Sequence, residues 1–415
     1  MWSRRQVSVL CRLPLLWGRR NLLSKAFWLE NEWSSRHSEL AKLGLGGDYE
    51  WIGAVQKKFV GGVASAIDVD AAVCIAEQKD QILDILDLIY KLRHSENAAD
   101  FLASSEYALI RLLLRHDASL LFKLAVDTIN YGVFMNEHAA CLAIDHFIEK
   151  DNIGGAALLS SWIMQQEMTE NELLNLLVLY ACSKWIELPV EKQIMPFEEA
   201  EDVDVNEDDV KTFKFPYLKN AQFDSHFDLK DPHLLVGKTF LWVARDSRSL
   251  PETLRQSLKL LGAVLFNRFD LASDLASSSI HGAVVNILRK QFASVGEEHP
   301  TKHQLQDILA KLDGCESSEE SISSAVYDVL KNNLEKEEEA LAKQQSADFT
   351  KWNRRRQELI KAQADRVLLK VRAEEIKKDL TEMENQAEKL TFFENRLKWE
   401  KRATQNAEIV QQAIS

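Results

Sequence analysis

The residues best placed to bind a nucleotide are Gly237-Lys238-Thr239. A phosphate-binding loop ends in Gly-Lys-Thr or Gly-Lys-Ser, and it carries another glycine five residues earlier because the backbone must wrap closely around the phosphates. The residue at that earlier position is Pro232, which has no N–H group to donate. The sequence therefore predicts no nucleotide-binding loop.

A cysteine and two histidines in one predicted helix are the candidates for a metal site. His138 and Cys141 share a helix face and His146 lies nearby, but no second pair of ligands has metal-binding spacing. Asp145 and His146 are neighbours, so their side chains point to different sides of the helix. No arrangement of Ser, His and Asp or of Cys and His indicates an activated nucleophile. We predict no catalytic residues, no metal and no cofactor.

A third segment has the composition of a nucleic-acid contact. Lys211, Lys214 and Lys219 are interleaved with aromatic residues at positions 213, 215 and 217. Aromatic side chains can stack on bases while lysines hold phosphates. The same segment could instead dock its rings on the protein itself, and both interpretations stay open. It follows Glu198–Asp209, where eight of twelve residues are acidic and a solvated loop is expected.

The elements that would position these residues are indicated by an internal repeat. Leu102–Asn136 and Glu137–Asn171 align without a gap over 35 residues, and each half of a unit has the pattern of a short helix. Helical hairpins of this length cannot bury their apolar faces alone and must stack on their neighbours. The pattern predicts a helical solenoid, a fold that binds partners along its surface.

The first 29 residues differ from the rest of the chain in charge. They contain six Lys or Arg residues and no Asp or Glu, with Leu, Val, Trp and Ser between the basic residues. This composition is typical of a mitochondrial presequence, which is basic, amphipathic and poor in acids. We predict a presequence over 1–29 and location in the mitochondrial matrix; the alternative is a basic N-terminal arm.

The remaining composition restricts the function further. The net charge is −13, and residues 30–334 carry 48 acids against 28 bases. Such a body cannot bind RNA by bulk attraction, which depends on Lys and Arg neutralising phosphates. The five cysteines are scattered, as in a protein of a reducing compartment. No apolar stretch is long enough to span a membrane.

The C-terminal region carries a heptad pattern. Positions spaced alternately three and four residues apart run from Leu359 to Leu397, and ten of the twelve are apolar. A pattern sustained over five heptads predicts a long helix that seeks a partner. The larger apolar residues of this seam are Leu359, Leu369, Ile376, Leu380, Met383, Leu390 and Leu397.

These patterns predict an all-α protein of five segments. They are a presequence over 1–29, helical repeats over 50–195, an acidic loop and docking segment over 196–230, a second helical block over 231–333, and a charged coiled-coil helix over 334–415. Each boundary follows a change in charge or in apolar periodicity.

The repeat units resemble the pentatricopeptide-repeat family. Ile144-Asp145 matches the Leu/Ile-Asp of its first helix, Ala156 the small residue of its second helix, and Gly132-Val133 its closing Gly-Ile. The resemblance implies a helical-hairpin solenoid that contacts RNA. In RNA-reading members, base specificity lies in the fifth and last residues of each repeat.

The chain departs from that base-reading pattern. Its fifth residues are Glu106 and Cys141, and a glutamate would repel phosphate whereas cysteine is a poor hydrogen-bonding partner. Only the last residues, Asn136 and Asn171, have the expected type. The repeats therefore resemble the family in fold more than in base reading.

Further runs resemble pentatricopeptide-repeat proteins of the mitochondrial small ribosomal subunit. They are 90–95, 131–133, 145–150 and the charged C-terminal helix. The resemblance implies a non-catalytic structural component of that subunit, whose partners are small-subunit rRNA and other ribosomal proteins of the subunit, with no DNA partner. A free mitochondrial RNA-binding factor acting on transcripts and a coiled-coil adaptor without an RNA role are the alternatives. The predicted RNA contacts are Arg93, Arg111, Arg115, Lys123, Asn136, Asn171, Lys211, Lys214 and Lys219.

Overall fold

The computed structural model describes residues 22–45, 50–197, 229–276, 279–294, 302–312 and 320–414. Over these ranges every regular element is a helix, so the all-α prediction is confirmed. No helix in the described ranges combines the length and hydrophobicity that crossing a membrane requires. The chain forms two compact units divided after Asn353, which we call the body and the tail.

The first half of the body is a series of short helices. Most of them have apolar residues every three or four positions and bury that stripe against a neighbouring helix, whereas three are buried on nearly all sides. In chain order they are α1 (Glu30–Ser34), α2 (Arg36–Lys42), α3 (Glu50–Val60), α4 (Ala66–Ile75), α5 (Ile82–Arg93), α6 (Ala103–His116), α7 (Leu120–Val126), α8 (Thr128–Tyr131), α9 (Glu137–Glu149), α10 (Ile153–Gln165) and α11 (Glu172–Glu187).

The two 35-residue units form the predicted helical hairpins. The first helices, α6 and α9, correspond closely, but the second helix is broken into α7 and α8 in the first unit and continuous as α10 in the second. The break follows Asp127, whose carboxylate accepts a hydrogen bond from the Asn130 N–H and starts a new helix. Gly132, with a φ of 59°, then ends α8 in the left-handed conformation that glycine adopts without strain.

The second half of the body continues the same stacking. It contains α12 (Pro232–Asp246), α13 (Glu252–Leu265), α14 (Phe269–Leu275), α15 (Gly282–Ser294) and α16 (Lys302–Leu312). α12 packs against α10, α11 and α13. A Cβ atom at Gly262 would lie 2.7 Å from the Gly237 carbonyl oxygen, so glycine is what allows α12 and α13 to approach this closely.

The longest helix, α17, spans Ile322–Leu390. Glu187 at the end of α11 accepts a hydrogen bond of 3.0 Å from the Ser323 N–H in its first turn. The part of α17 that belongs to the body buries Ile322, Val326 and Leu341. It therefore packs against the repeats as part of the same core.

The tail consists of the rest of α17 and of α18 (Phe392–Ile414). The predicted seam is not carried by one straight helix, because α17 ends at Leu390. Arg402 lies 3.3 Å from Glu388, although 14 residues of straight helix would separate them by about 21 Å. The helix is interrupted at Thr391, which has turn conformation, and the chain bends back there.

Candidate functional site

The last residues of the two repeats start helices. The Asn136 side-chain oxygen accepts from the Ala139 N–H at 2.9 Å, and that of Asn171 accepts from the Leu174 N–H at 3.0 Å. Each bond satisfies an N–H group that the first turn of a helix leaves unpaired. The amide nitrogen of Asn136 also donates to Gln345 on α17, at 2.7 Å. Both predicted RNA contacts thus have a structural role in the body.

The fifth residues of the repeats face the interior. Glu106 accepts from the Phe134 N–H at 3.0 Å, and burial raises the pKa of its carboxyl to about 8. Cys141 is completely buried, and burial raises the pKa of its thiol well above the usual range. Neither side chain is presented to a base.

The predicted cation Arg111 is committed to protein partners. Its side chain is 4% exposed and its guanidinium donates to the Trp28 carbonyl at 2.6 Å, to the Tyr107 hydroxyl at 3.0 Å and to Glu30 at 2.8 Å. A buried guanidinium needs such partners to offset its lost hydration. Arg111 therefore does not offer its charge to an RNA phosphate. Arg115 is about half exposed and pairs with Glu30 at 3.3 Å.

Two other predicted cations lie together with aromatic rings at the surface. Arg93 ends α5 and its Nε donates to the Ile129 carbonyl at 3.0 Å; Lys123 Nζ lies 5.7 Å from the centre of the Tyr131 ring. The Tyr90 ring lies 6.2 Å from that of Tyr131 and 4.1 Å from that of His94. We call Tyr90, Arg93, His94, Lys123 and Tyr131 the basic-aromatic patch.

The shape of the basic-aromatic patch depends on Gly132. A Cβ atom there would lie 2.6 Å from the Arg93 guanidinium carbon, so glycine makes room for the arginine against α8. Partial burial of the guanidinium lowers the pKa of Arg93 from its usual value. The sequence indicated the two cations but not the rings, since α5 and α8 meet only in the fold.

The histidine and cysteine examined as metal ligands belong to the core. His138 Nε2 donates to the Phe27 carbonyl at 2.8 Å, and its Nδ1 accepts from the Tyr107 hydroxyl at 3.1 Å. Burial lowers the pKa of His138 to about 3, which keeps the ring neutral. Among the described residues, no three His, Cys, Asp or Glu side chains are grouped as metal ligands.

Gly237-Lys238-Thr239 lies within α12 and not in a loop. The Thr239 hydroxyl donates to the Leu235 carbonyl one turn earlier, at 2.7 Å. Lys238 Nζ lies 5.7 Å from the ring centres of Trp242 and Phe266. The segment is therefore part of a packed helix.

The N-terminal segment Leu22–Leu29 is part of the body. The Leu22 N–H donates to Asp145 at 3.0 Å, and Leu23 and Phe27 are almost completely buried. The Phe27 ring stacks on His138 with 4.3 Å between centres. The end of the predicted presequence therefore packs against α6 and α9, while residues 1–21 lie outside the described residues, as do Lys211, Lys214 and Lys219.

The apolar seam of the tail faces solvent. Leu359 is partly exposed, Leu380 is 51% exposed and Leu390 is 87% exposed. Leu397, the last predicted seam residue, lies on α18 beyond the bend and is also exposed. Leu369, Ile376 and Met383 are more than half exposed. A large exposed apolar face is typical of an interaction surface.

The sequence matches the model of a known protein family. The model of the family described as mitochondrial 28S ribosomal protein S27 matches residues 1–382, which includes the whole body and most of α17. The match covers far more than half of the 415 residues. The chain therefore belongs to the mitochondrial 28S ribosomal protein S27 family, a family of proteins of the mitochondrial small ribosomal subunit.

Proposed function

We propose that this protein is a non-catalytic structural component of the mitochondrial small ribosomal subunit that contacts rRNA through the basic-aromatic patch and works in the matrix. The observation that supports it best is the convergence of Arg93 and Lys123 with the rings of Tyr90 and Tyr131. Cations hold phosphates and exposed rings stack on bases, so the patch combines both kinds of RNA contact. Arg115, about half exposed on α6, is a separate candidate phosphate contact.

The proposed contact does not read sequence. The side chains at the two base-reading positions of each pentatricopeptide-like repeat serve the protein. Asn136 and Asn171 are N-caps, Glu106 accepts from the Phe134 N–H, and Cys141 is buried. Contacts to phosphate and to the faces of bases position a protein without selecting a sequence. Binding should therefore depend on rRNA shape and on salt.

The mutational test uses residues that carry the patch without supporting the fold. Lys123→Gln removes one phosphate contact, and we expect the slope of log K against log salt to fall by roughly 0.7–0.9. Tyr90→Ala removes a ring that is 43% exposed, and loss of one stacked base should cost about 1–3 kcal/mol of binding. Lys150→Gln, an exposed lysine at the end of α9, is the control and should bind like the parent.

The measurement is filter binding of the purified protein to small-subunit rRNA fragments at several salt concentrations, together with crosslink mapping in mitochondria. Crosslinks to rRNA should fall on the patch, on Arg115, or on Lys211, Lys214 and Lys219. Equal binding by Lys123→Gln, Tyr90→Ala and the parent would contradict the proposed surface. Tight selection of one short single-stranded RNA would favour a transcript-binding factor instead.

The matrix location is tested separately. Replacing Arg4, Arg5, Arg12, Arg19 and Arg20 with Glu removes the basic face of the proposed presequence. We expect this variant to remain in the cytosol, because import depends on a basic amphipathic helix. Import equal to that of the parent, measured by protease protection in isolated mitochondria, would exclude residues 1–29 as the signal.

A further inference from the structure

The tail presents a nearly continuous apolar face that nothing within the tail covers. Leu369, Ile376, Leu380, Met383 and Leu390 recur along α17 at heptad spacing, and each is at least 51% exposed. At 1.5 Å per residue, the seam from Leu359 to Leu390 is about 47 Å long. Such a face needs a long helical partner.

The residues that flank the seam carry a charge pattern. In heptad notation, with Leu359 and Leu380 at position a, three of the g positions are acidic: Glu358, Asp365 and Asp379. Two e positions are basic, Lys370 and Lys377. One edge of the seam is therefore mainly acidic and the other mainly basic over these heptads, and such residues determine which helix pairs with which.

A parallel pair of two copies would make poor use of this pattern. In a parallel coiled coil each g residue faces the e residue five positions later in the partner helix. Asp365 would face Lys370, but Arg372 would face Lys377 and Asp379 would face Glu384. Repulsive pairs would outnumber attractive ones by two to one.

Neither the core of a parallel pair nor the flanking charges of an antiparallel pair favour the pairing of two copies. Arg366 occupies an a position, so a parallel dimer would bring two guanidinium groups together in its core. In an antiparallel pair centred between Ala373 and Ile376, Lys370 faces Lys377 while Arg372 faces Asp379, and the two effects cancel. Neither arrangement gains from its flanking charges.

We propose that the seam binds a helix of a different protein, which carries its own apolar heptad stripe and the opposite charges on its edges. That helix places acidic residues against Lys370, Lys377 and Arg366, and basic residues against Glu358, Asp365 and Asp379. RNA is a poor occupant, because the centre of the surface is apolar and one edge is acidic. The inference rests on the proposed function in that the partner is a protein of the small subunit.

The test replaces lysines with glutamates in the full-length protein and is carried out in mitochondria. Lys370→Glu with Lys377→Glu alters the seam edge, while Lys361→Glu with Lys378→Glu makes the same change of charge on positions c and f, away from the seam. We expect the first pair to lower the fraction of protein that co-sediments with the small subunit at least tenfold and the second pair to leave it within twofold. Circular dichroism should show equal helicity, since all four lysines are exposed.

A photoreactive amino acid at Met383 identifies the occupant. A crosslink to a helix of another small-subunit protein with acidic residues at its flanking positions supports the inference. A crosslink to rRNA, a crosslink to a second copy, a dimer at tens of micromolar by sedimentation equilibrium, or equal effects of the two charge exchanges would overturn it. If the parent itself does not sediment with the small subunit, the proposed function is wrong. The crosslink from Met383 then shows by itself whether the seam binds a helix of another protein.

Discussion

The body and the tail contain the same apolar side chains and use them in opposite ways. Leu177 in α11 is fully buried, whereas Leu380 in the tail is 51% exposed, although both lie on helices. The body stacks many short helices, so each apolar stripe meets a neighbour, while in the tail the stripe of α17 remains open to solvent. The body thus obtains its stability from itself, and the apolar face of the tail is available for assembly.

The largest expected difference between the two regions comes from one truncation made in each. Leu177→Ala leaves a cavity in a packed core and should lower the free energy of unfolding by about 2–5 kcal/mol. Leu380→Ala removes a side chain that is already half in water and should lower it by about 0.5 kcal/mol or less. Urea unfolding followed by tryptophan fluorescence measures both, and equal losses would show that the tail shares the core of the body.

A second comparison uses carboxylates. Asp68, 3% exposed, accepts from the Ser65 N–H at 3.1 Å and from Lys58 at 2.7 Å, so Asp68→Ala should cost about 1–3 kcal/mol. Glu400 pairs with Arg396 at 2.9 Å, but both side chains are more than half exposed. Such a pair is worth about 0.5 kcal/mol or less. Thermal unfolding should therefore shift clearly for Asp68→Ala and hardly for Glu400→Ala.

A third prediction concerns the pH dependence of the body. Because burial raises the pKa of Glu106 from its ordinary value of 4.5 to about 8, the native state keeps a proton that the unfolded chain releases near pH 4.5. The contribution of the Glu106 carboxyl to the free energy of unfolding is therefore fully present below about pH 4.5. It is lost as the pH rises towards 8, by at most about 1.4 kcal/mol per pH unit. Glu106→Gln cannot titrate, yet its amide oxygen can still accept from the Phe134 N–H.

The stability of Glu106→Gln relative to the parent should therefore increase between pH 5.5 and pH 7.5. The measurement is the urea midpoint of both proteins at the two pH values. A constant difference would mean that Glu106 is ionised in the folded body.

The last comparison is between two glycines within the body. Gly132→Ala places a Cβ atom on a residue with a φ of 59° and should cost about 1–2 kcal/mol, with displacement of Arg93. Gly53 lies inside α3 with open space around its Cα, so Gly53→Ala should stabilise the protein by about 0.5–1 kcal/mol. Melting temperatures that move in the same direction for both variants would contradict the different roles assigned to Gly132 and Gly53.

The sequence predicted local structure well because periodicity and capping are local. The gapless repeat located α6, α9 and α10, and the heptads located the long helix. It could not show that Arg111 is buried, because its carboxylate partner Glu30 lies 81 residues away. The meeting of Tyr90 and Tyr131 likewise depends on how α5 packs against α8. The bend at Thr391 was not predicted, because the apolar spacing continues across it from Leu390 to Leu397.

The contact between the N-terminal segment and α17 sets a condition on how the body folds. The Ser24 N–H donates to Glu338 at 3.1 Å, so residues 314 positions apart meet in the finished structure. Contacts of such long separation close slowly, since the intervening chain must first lose its freedom. A chain that lacks α17 can form the repeat hairpins, but it cannot make the contact between Ser24 and Glu338. We therefore expect the N-terminal segment to dock late in folding, after α17 has formed.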